Sequence, residues 1–307
     1  MPLCGYAMDP LDLDRLSAHI EAALREDLGE GDLTSVAIVP AHSAARGTVV
    51  AREPGVLAGG PLLAPIFQRI DPAVEVQLHR AEGEALPRDA RIATASGPAR
   101  AILAGERLAL NYLQRLSGIA TLTRRFVDRA APHGAAIFDT RKTTPGWRYL
   151  EKYAVAAGGG HNHRMGLYDQ VLIKDNHLLI ARRRWPGRAV ADAVEAARAA
   201  SPPGTFVEVE ADDLDQVSQA IDAGADAILL DNMPEAQMRR AVELARAAIP
   251  RPLLEASGSV TEERVAAIAQ TGVDRISVGA ITHSAPALDI ALDLEPCPAA
   301  TAQETGP

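Results

Sequence analysis

Six short apolar runs in the second half of the chain restrict its possible folds more than any other feature. They occupy 135–138, 171–173, 206–209, 227–230, 253–256 and 276–278, and helix-like segments separate them. Each gives way to a polar residue or glycine: Asp139, Lys174, Glu210, Asp231, Ser257 and Gly279. Short continuous apolar runs that alternate with helices are buried parallel strands. Polar residues at the carboxyl ends of such strands are where barrel enzymes place their chemistry. Six in succession predict a site at the mouth of an α/β barrel. A doubly wound open sheet is the structural alternative.

The front of the chain lacks this alternation. Leu13, Leu16, Ile20 and Leu24 recur at helical spacing, and Gly29 stops that helix. Residues 45–58 alternate like a strand with turn residues, 61–70 read as a second helix, and 74–80 and 91–96 read as short strands. From about residue 98 a long helical pattern runs to 130, with Gly118 as a break between two helices. Mixed strands and helices without regular alternation predict a compact α+β domain. The expected boundaries are 1–115 for this domain, joined by 287–295, and 116–286 for the barrel. The small, polar stretch 296–307 is expected to be a disordered tail.

Charge locates the site within this frame. The chain carries −9 overall, yet residues 139–188 hold ten Lys/Arg against four Asp/Glu, leaving −15 for the remainder. A basic island in an acidic protein suits small, multiply charged anions, because the local field steers ligands. The basic residues flank Pro145, Gly160 and the His161/His163 pair instead of following one helix face. Only three of the 31 basic residues are lysines, Lys142, Lys152 and Lys174, all inside the island. A compact ammonium on a flexible stem suits phosphate or pyrophosphate oxygens. Lys152, next to Glu151 in a helical run, reads as structural.

Late glycines extend the picture. Ser257-Gly258-Ser259 and Gly279 follow the last two strands, where barrels bind phosphate through backbone N–H groups. Glu210 and Asp231, carboxylates at strand ends, suit ribose hydroxyls or Mg²⁺; an ion pair with a nearby arginine is their plain reading. His161 and His163 have no third His or Cys nearby for zinc, and beside Arg141 and Arg164 an imidazole suits a ligand carboxylate. The glycines at 158–160 lack the GK[ST] ending of a P-loop. Arg107, within the long helical pattern, reads on its own as a surface charge paired with Glu106.

Other classes are disfavoured. A pI near 5.4 and 4% aromatics argue against nucleic-acid binding. No apolar stretch approaches the roughly 18 residues of a membrane span, and no signal peptide is visible. Cys4 and Cys297 form no disulfide or zinc pattern, which fits a reducing cytoplasm.

Taken together, the blocks EDLGEGDLTS, GVLAG, ERLALNYLQRLSGIAT, DTRKTTPG, GGGHNHR, LIKDNH, VEVE, ILLDN, EASGSV and ISVGAITHS resemble, in this order, the quinolinate phosphoribosyltransferase family. The resemblance covers nearly the whole chain. It implies a type II phosphoribosyltransferase-like fold: an N-terminal α/β sandwich domain plus an incomplete, seven-stranded α/β (TIM-like) barrel. It also implies a homodimer in which each N-terminal domain completes the partner's site. The implied reaction transfers phosphoribose from phosphoribosyl pyrophosphate to quinolinate with decarboxylation and requires Mg²⁺. By the same resemblance, Arg141, Lys142, His163 and Arg164 hold the quinolinate carboxylates, and Arg107 reaches the site from the other subunit. Lys142 and Lys174 lie near the pyrophosphate, Glu210 and Asp231 serve ribose and metal, and Ser257, Gly258, Gly279 and His283 form the 5′-phosphate site. Lys142, Lys174, Glu210 and Asp231 are the expected catalytic set. The chain departs from the family pattern at Ala156, where a basic residue is usual, at Trp147, where leucine is usual, and at 181–188, which reads as an insertion. Competing readings are a related enzyme that takes nicotinate or another acceptor, a non-catalytic metabolite-binding paralogue, and an aldolase with Lys174 as its Schiff-base lysine.

Overall fold

A computed structural model describes residues 9–183 and 188–297. The chain divides into two compact units. Among the described residues, one comprises 9–121, 156–158 and 285–297; the other contains 122–155, 159–183 and 188–284.

The first unit opens with α1 (Leu13–Leu28), whose N-cap Asp12 accepts from the Arg15 N–H and whose C-cap is Gly29 at φ 50°. Leu16, Ile20 and Leu24 form its buried stripe, as a helical repeat requires. Next come α2 (Leu33–Ile38), β1 (Ala44–Ala51), β2 (Gly55–Val56), α3 (Leu63–Ile70), β3 (Glu75–Leu78), β4 (Ala85–Leu86) and β5 (Arg91–Pro98), then α4 (Ala99–Ala130). The main sheet also contains β12 (Ile290–Pro296) and has the order β12-β1-β5-β3, antiparallel throughout; β2 and β4 form a separate pair. The strand that follows the barrel thus returns to this sheet. Pro296, the expected start of the tail, is its last residue, paired with Ala45. The rest of that segment, 298–307, lies outside the described residues, as do 184–187 within the arginine-rich segment.

Helix α4 is continuous, so Gly118 is not a break. A Cβ at this position would lie 1.9 Å from the Pro286 carbonyl oxygen. A glycine inside a helix costs only about 1 kcal/mol relative to alanine, and here it admits a backbone carbonyl against the helix.

The second unit contains the six anticipated strands: β6 (Ala136–Phe138), β7 (Val171–Ile173), β8 (Val207–Ala211), β9 (Ala227–Asp231), β10 (Leu253–Ser257) and β11 (Arg275–Ser277). Between and after them lie α5 (Arg148–Ala157), α6 (Asp175–Ala181), α7 (Ala189–Ala200), α8 (Leu214–Asp222), α9 (Glu235–Ala247), α10 (Val265–Ala269) and α11 (Ala280–His283). The sheet order is β6-β11-β10-β9-β8-β7, with every pair parallel. The edges β6 and β7 do not pair with each other, so the barrel is incomplete. A single parallel bridge between Phe138 and His161 extends the β6 edge.

Side chains alternate along these strands, and the interior therefore fills in layers. Lys174, Glu210, Asp231 and Ser257 stand at the carboxyl end, and Leu172, Glu208, Leu229 and Glu255 stand one step below, each two residues earlier. The outward positions Val209, Leu230, Leu254 and Ala256 are buried beneath the helices.

Candidate active site

The carboxyl ends of the barrel strands surround a cavity of about 550 Å³. Arg141, Lys142, His163, Arg164, Lys174, Glu210, Asp231, Ser257 and Gly258 all line it. Gly279 stands beside it: a Cβ there would lie 3.1 Å from both Lys142 Cδ and His283 Nε2. Arg107 belongs to the other unit, where it is an exposed residue of α4.

Local chemistry fixes each wall. Lys174 is the N-cap of α6, and its backbone N–H donates to His177 Nδ1 at 2.8 Å; the imidazole thus does the work of the glutamate in a capping box. The Lys174 ammonium donates to Glu210 Oε2 at 2.7 Å. Asp231 Oδ2 accepts from Asn232 Nδ2 at 2.9 Å. Asn232 has φ 49°, and its N–H donates to Ser257 O at 2.9 Å. Gly258, at φ 96°, packs so closely on this asparagine that a Cβ would meet its Oδ1 at 2.2 Å. Only glycine fits both that conformation and that approach. The Lys142 carbonyl accepts from Thr282 Oγ1 at 2.8 Å, tying the loop after β6 to α11.

Lys152 is structural, as its helical context implies. It is 1% exposed and its ammonium pairs with Asp139 Oδ1. It also donates to His163 O at 2.8 Å, while the His163 N–H donates to Asp139 Oδ1 at 2.8 Å. Asp139, although it ends the first apolar run, thus turns its carboxylate into the protein. Burial pushes its pKa up to about 6, against the pull of Lys152; burial also lowers the pKa of Lys152.

Arg141 and Arg164 give the cavity its chemical bias. Among the described residues, the Nε of each is buried without a hydrogen-bond partner. Arg164 Nη1 donates to the Gln170 carbonyl at 3.2 Å. Burial first, and the charge of Arg141 second, lowers the Arg164 pKa. Two neighbouring guanidinium groups with unspent N–H donors form a site for an anion with more than one carboxylate.

His163 is held on both sides of its ring. Nε2 lies 3.0 Å from Glu208 Oε2, and Nδ1 accepts from the Arg164 N–H at 2.8 Å. Burial lowers its pKa, but the hydrogen bond to Glu208 and the charges of Glu255 and Glu208 more than offset this and raise it. Glu255 is pushed up to about 7 by burial and then by the charge of Glu208. Sequence reasoning missed Glu208, Glu255 and Ser277. The period-two repeat carried the signal, since Glu208 shares a face with Glu210, and Glu255 with Ser257. His161 is placed elsewhere. It stacks on Phe138 with centroids 5.2 Å apart and lines a smaller cavity of about 270 Å³ beside β6.

Comparison with known proteins places the chain. Residues 32–117 match the family model described as quinolinate phosphoribosyl transferase, N-terminal domain, and 119–293 match that of the C-terminal domain. A probable nicotinate-nucleotide pyrophosphorylase [carboxylating] of Bacillus subtilis is 43% identical over 287 residues, covering 94% of this chain and 95% of its own. The nicotinate-nucleotide pyrophosphorylase [carboxylating] of Mycobacterium leprae is 43% identical over 286 residues, covering 92% and 98%. Among solved structures, the nicotinate-nucleotide pyrophosphorylase of Francisella tularensis superposes with a TM-score of 0.87 at 35% identity, covering 95% of this chain and 100% of that one.

Proposed function

The chain belongs to the quinolinate phosphoribosyltransferase family, and on that premise we propose how its site works. The enzyme transfers phosphoribose from phosphoribosyl pyrophosphate to the ring nitrogen of quinolinate. Carbon dioxide and pyrophosphate leave, and nicotinate mononucleotide, a precursor in de novo NAD biosynthesis, is formed. The paired guanidinium groups of Arg141 and Arg164, with buried and unspent Nε donors, carry this reading. Quinolinate has two adjacent carboxylates, which planar bidentate donors match.

The remaining residues divide the work. A ribosyl centre losing pyrophosphate develops oxocarbenium character, and the carboxylates of Glu210 and Asp231 stabilise that charge. The Lys174 ammonium donates to Glu210 at 2.7 Å and stands ready for the pyrophosphate. Lys142 is exposed at the mouth of the cavity for the same anion. Ser257, Gly258, Gly279 and His283 receive the 5′-phosphate. Glu210 and Asp231 offer the hard oxygen donors Mg²⁺ prefers; they would hold the ion, which supplies charge neutralisation for the departing pyrophosphate. Loss of carbon dioxide leaves a ring carbanion beside the newly cationic nitrogen, which stabilises it without an organic electron sink until a proton from water forms the ring C–H bond.

The working form is a homodimer in the cytoplasm, with Arg107 of each subunit donated to its partner's site. The exposure of Arg107 on α4 supports this assignment. Among the described residues, no helix is long and apolar enough to cross a membrane.

The deciding experiment is a product assay with phosphoribosyl pyrophosphate and Mg²⁺, with quinolinate or nicotinate as acceptor. Nicotinate mononucleotide is expected from quinolinate alone. Nicotinate lacks the second carboxylate and leaves a buried guanidinium unsatisfied, a penalty of about 1–3 kcal/mol. Product from nicotinate alone overturns the assignment.

A further inference from the structure

One layer below the strand ends, the barrel interior holds two carboxylates with no role in the transfer just described. Glu208 and Glu255 stand two residues before Glu210 and Ser257, and both side chains are 0% exposed. Buried carboxylates side by side are unfavourable unless their surroundings hold them in place. Their surroundings meet at one side chain. Glu208 Oε2 is 3.0 Å from His163 Nε2 and accepts from Gln170 Nε2 at 2.7 Å. Glu255 Oε1 lies 3.6 Å from the same ring nitrogen and accepts from Ser277 Oγ. The other ring nitrogen, Nδ1, accepts from the Arg164 N–H. A nitrogen that accepts an N–H bond carries no proton, so the ring is the Nε2–H tautomer and donates to Glu208.

We propose that Glu208 and Glu255 are positioning residues, which lock the His163 ring so that its Nδ1 anchors the Arg164 backbone and aims that guanidinium at the acceptor's carboxylate. The chain of contacts is continuous. Asp139 and Lys152 hold the His163 backbone, Glu208 and Glu255 hold its ring, and the ring holds Arg164. The charged groups that act on the pair are His163, Arg164 and Arg275, and Lys152 acts on His163 in turn. His163, Glu208 and Glu255 are also compact enough to suggest a cation site, with ligand atoms within 4.8 Å of one another. A direct N···O contact of 3.0 Å instead joins His163 and Glu208 through a proton. The inference rests on the quinolinate reading.

The test uses the full chain and the variants Glu208→Ala, Glu208→Gln and Glu255→Gln. Nitrogen-15 NMR of the imidazoles reports the His163 tautomer, and steady-state kinetics separates the two substrates. In the wild type, at a pH above its titration, His163 is expected as the neutral Nε2–H form. Glu208→Ala should abolish that single form and raise the quinolinate KM about 10-fold or more, the effect of losing one charged hydrogen bond. The phosphoribosyl pyrophosphate KM should move less than about 2-fold, since that ligand meets other residues. Glu208→Gln keeps an acceptor oxygen and should recover part of the loss. Because it removes a negative charge beside the ring, the His163 titration should move to lower pH. If Glu208→Ala does not fold, Glu255→Gln, which keeps volume and an acceptor for Ser277, must still shift the His163 titration downward. An unchanged tautomer and quinolinate KM, or equal rises in both KM values, overturns the proposal. If the wild type turns over no quinolinate, the functional reading falls, and the NMR result still decides whether Glu208 holds the ring.

Discussion

Arg164 shows how a residue's surroundings set its chemistry. Its guanidinium is almost fully buried beside another cation, an arrangement that favours ligand carboxylates over water. Lysine at this position keeps the charge but loses the planar fork. Arg164→Lys is expected to raise the quinolinate KM by about 10-fold or more while leaving the phosphoribosyl pyrophosphate KM nearly unchanged, measured by initial rates. Much of this was legible in the sequence, because Arg141, His163, Arg164 and Lys174 lie in a basic island, and the three lysines separate as their contexts suggest. Lys152 in a helical run is locked to Asp139, whereas Lys142 and Lys174 line the cavity. What stayed illegible was the direction of Asp139. A polar residue after an apolar run marks a strand end, but only packing decides whether it faces ligand or protein.

At the scale of elements, the six strands were legible because each is short and mostly apolar. That reading hid Glu208 and Glu255, two charges inside runs that otherwise match the buried pattern. Their presence has a consequence for stability. Asp139 and Glu255 have folded pKa values of about 6 and about 7, above the ordinary carboxylate range. Through this interval the native state binds more protons than the unfolded chain, so these groups lower stability as pH rises from about 4 to about 7. Urea unfolding across that range should show the decline, and Glu255→Gln should flatten it; a variant that tracks the wild type in parallel contradicts the assignment. Gly118 is a second element-level lesson. Propensity alone makes Gly118→Ala stabilising by about 1 kcal/mol, but the new Cβ would meet a carbonyl oxygen at 1.9 Å. Overpacking typically costs about 1–3 kcal/mol, so the clash wins, and a lowered urea midpoint with unchanged slope is expected.

At the scale of the whole molecule, the net acidic composition conceals a division of labour. The barrel unit supplies Arg141, Lys142, His163, Arg164 and Lys174 as well as the carboxylates, while Arg107 sits in the other unit and is exposed. The helical pattern of α4 was legible, yet an exposed arginine on it looks like any surface charge, because a single sequence does not show which surface a second copy covers. The shared-site reading makes a demand that no single-subunit site makes. Arg107→Ala and Lys174→Ala homodimers should each be nearly inactive. In a mixed dimer, one of the two sites combines the defects and the other has neither, because Arg107 and Lys174 at that site come from intact positions of different chains. Mixing equal amounts under conditions of subunit exchange, verified by differently tagged chains, should therefore restore up to about a quarter of wild-type activity per total subunit, on statistical pairing of a C₂ dimer. The restored activity should have the wild-type quinolinate KM, since the intact site is unaltered. Verified mixed dimers without activity would show that Arg107 and Lys174 serve the same subunit's site.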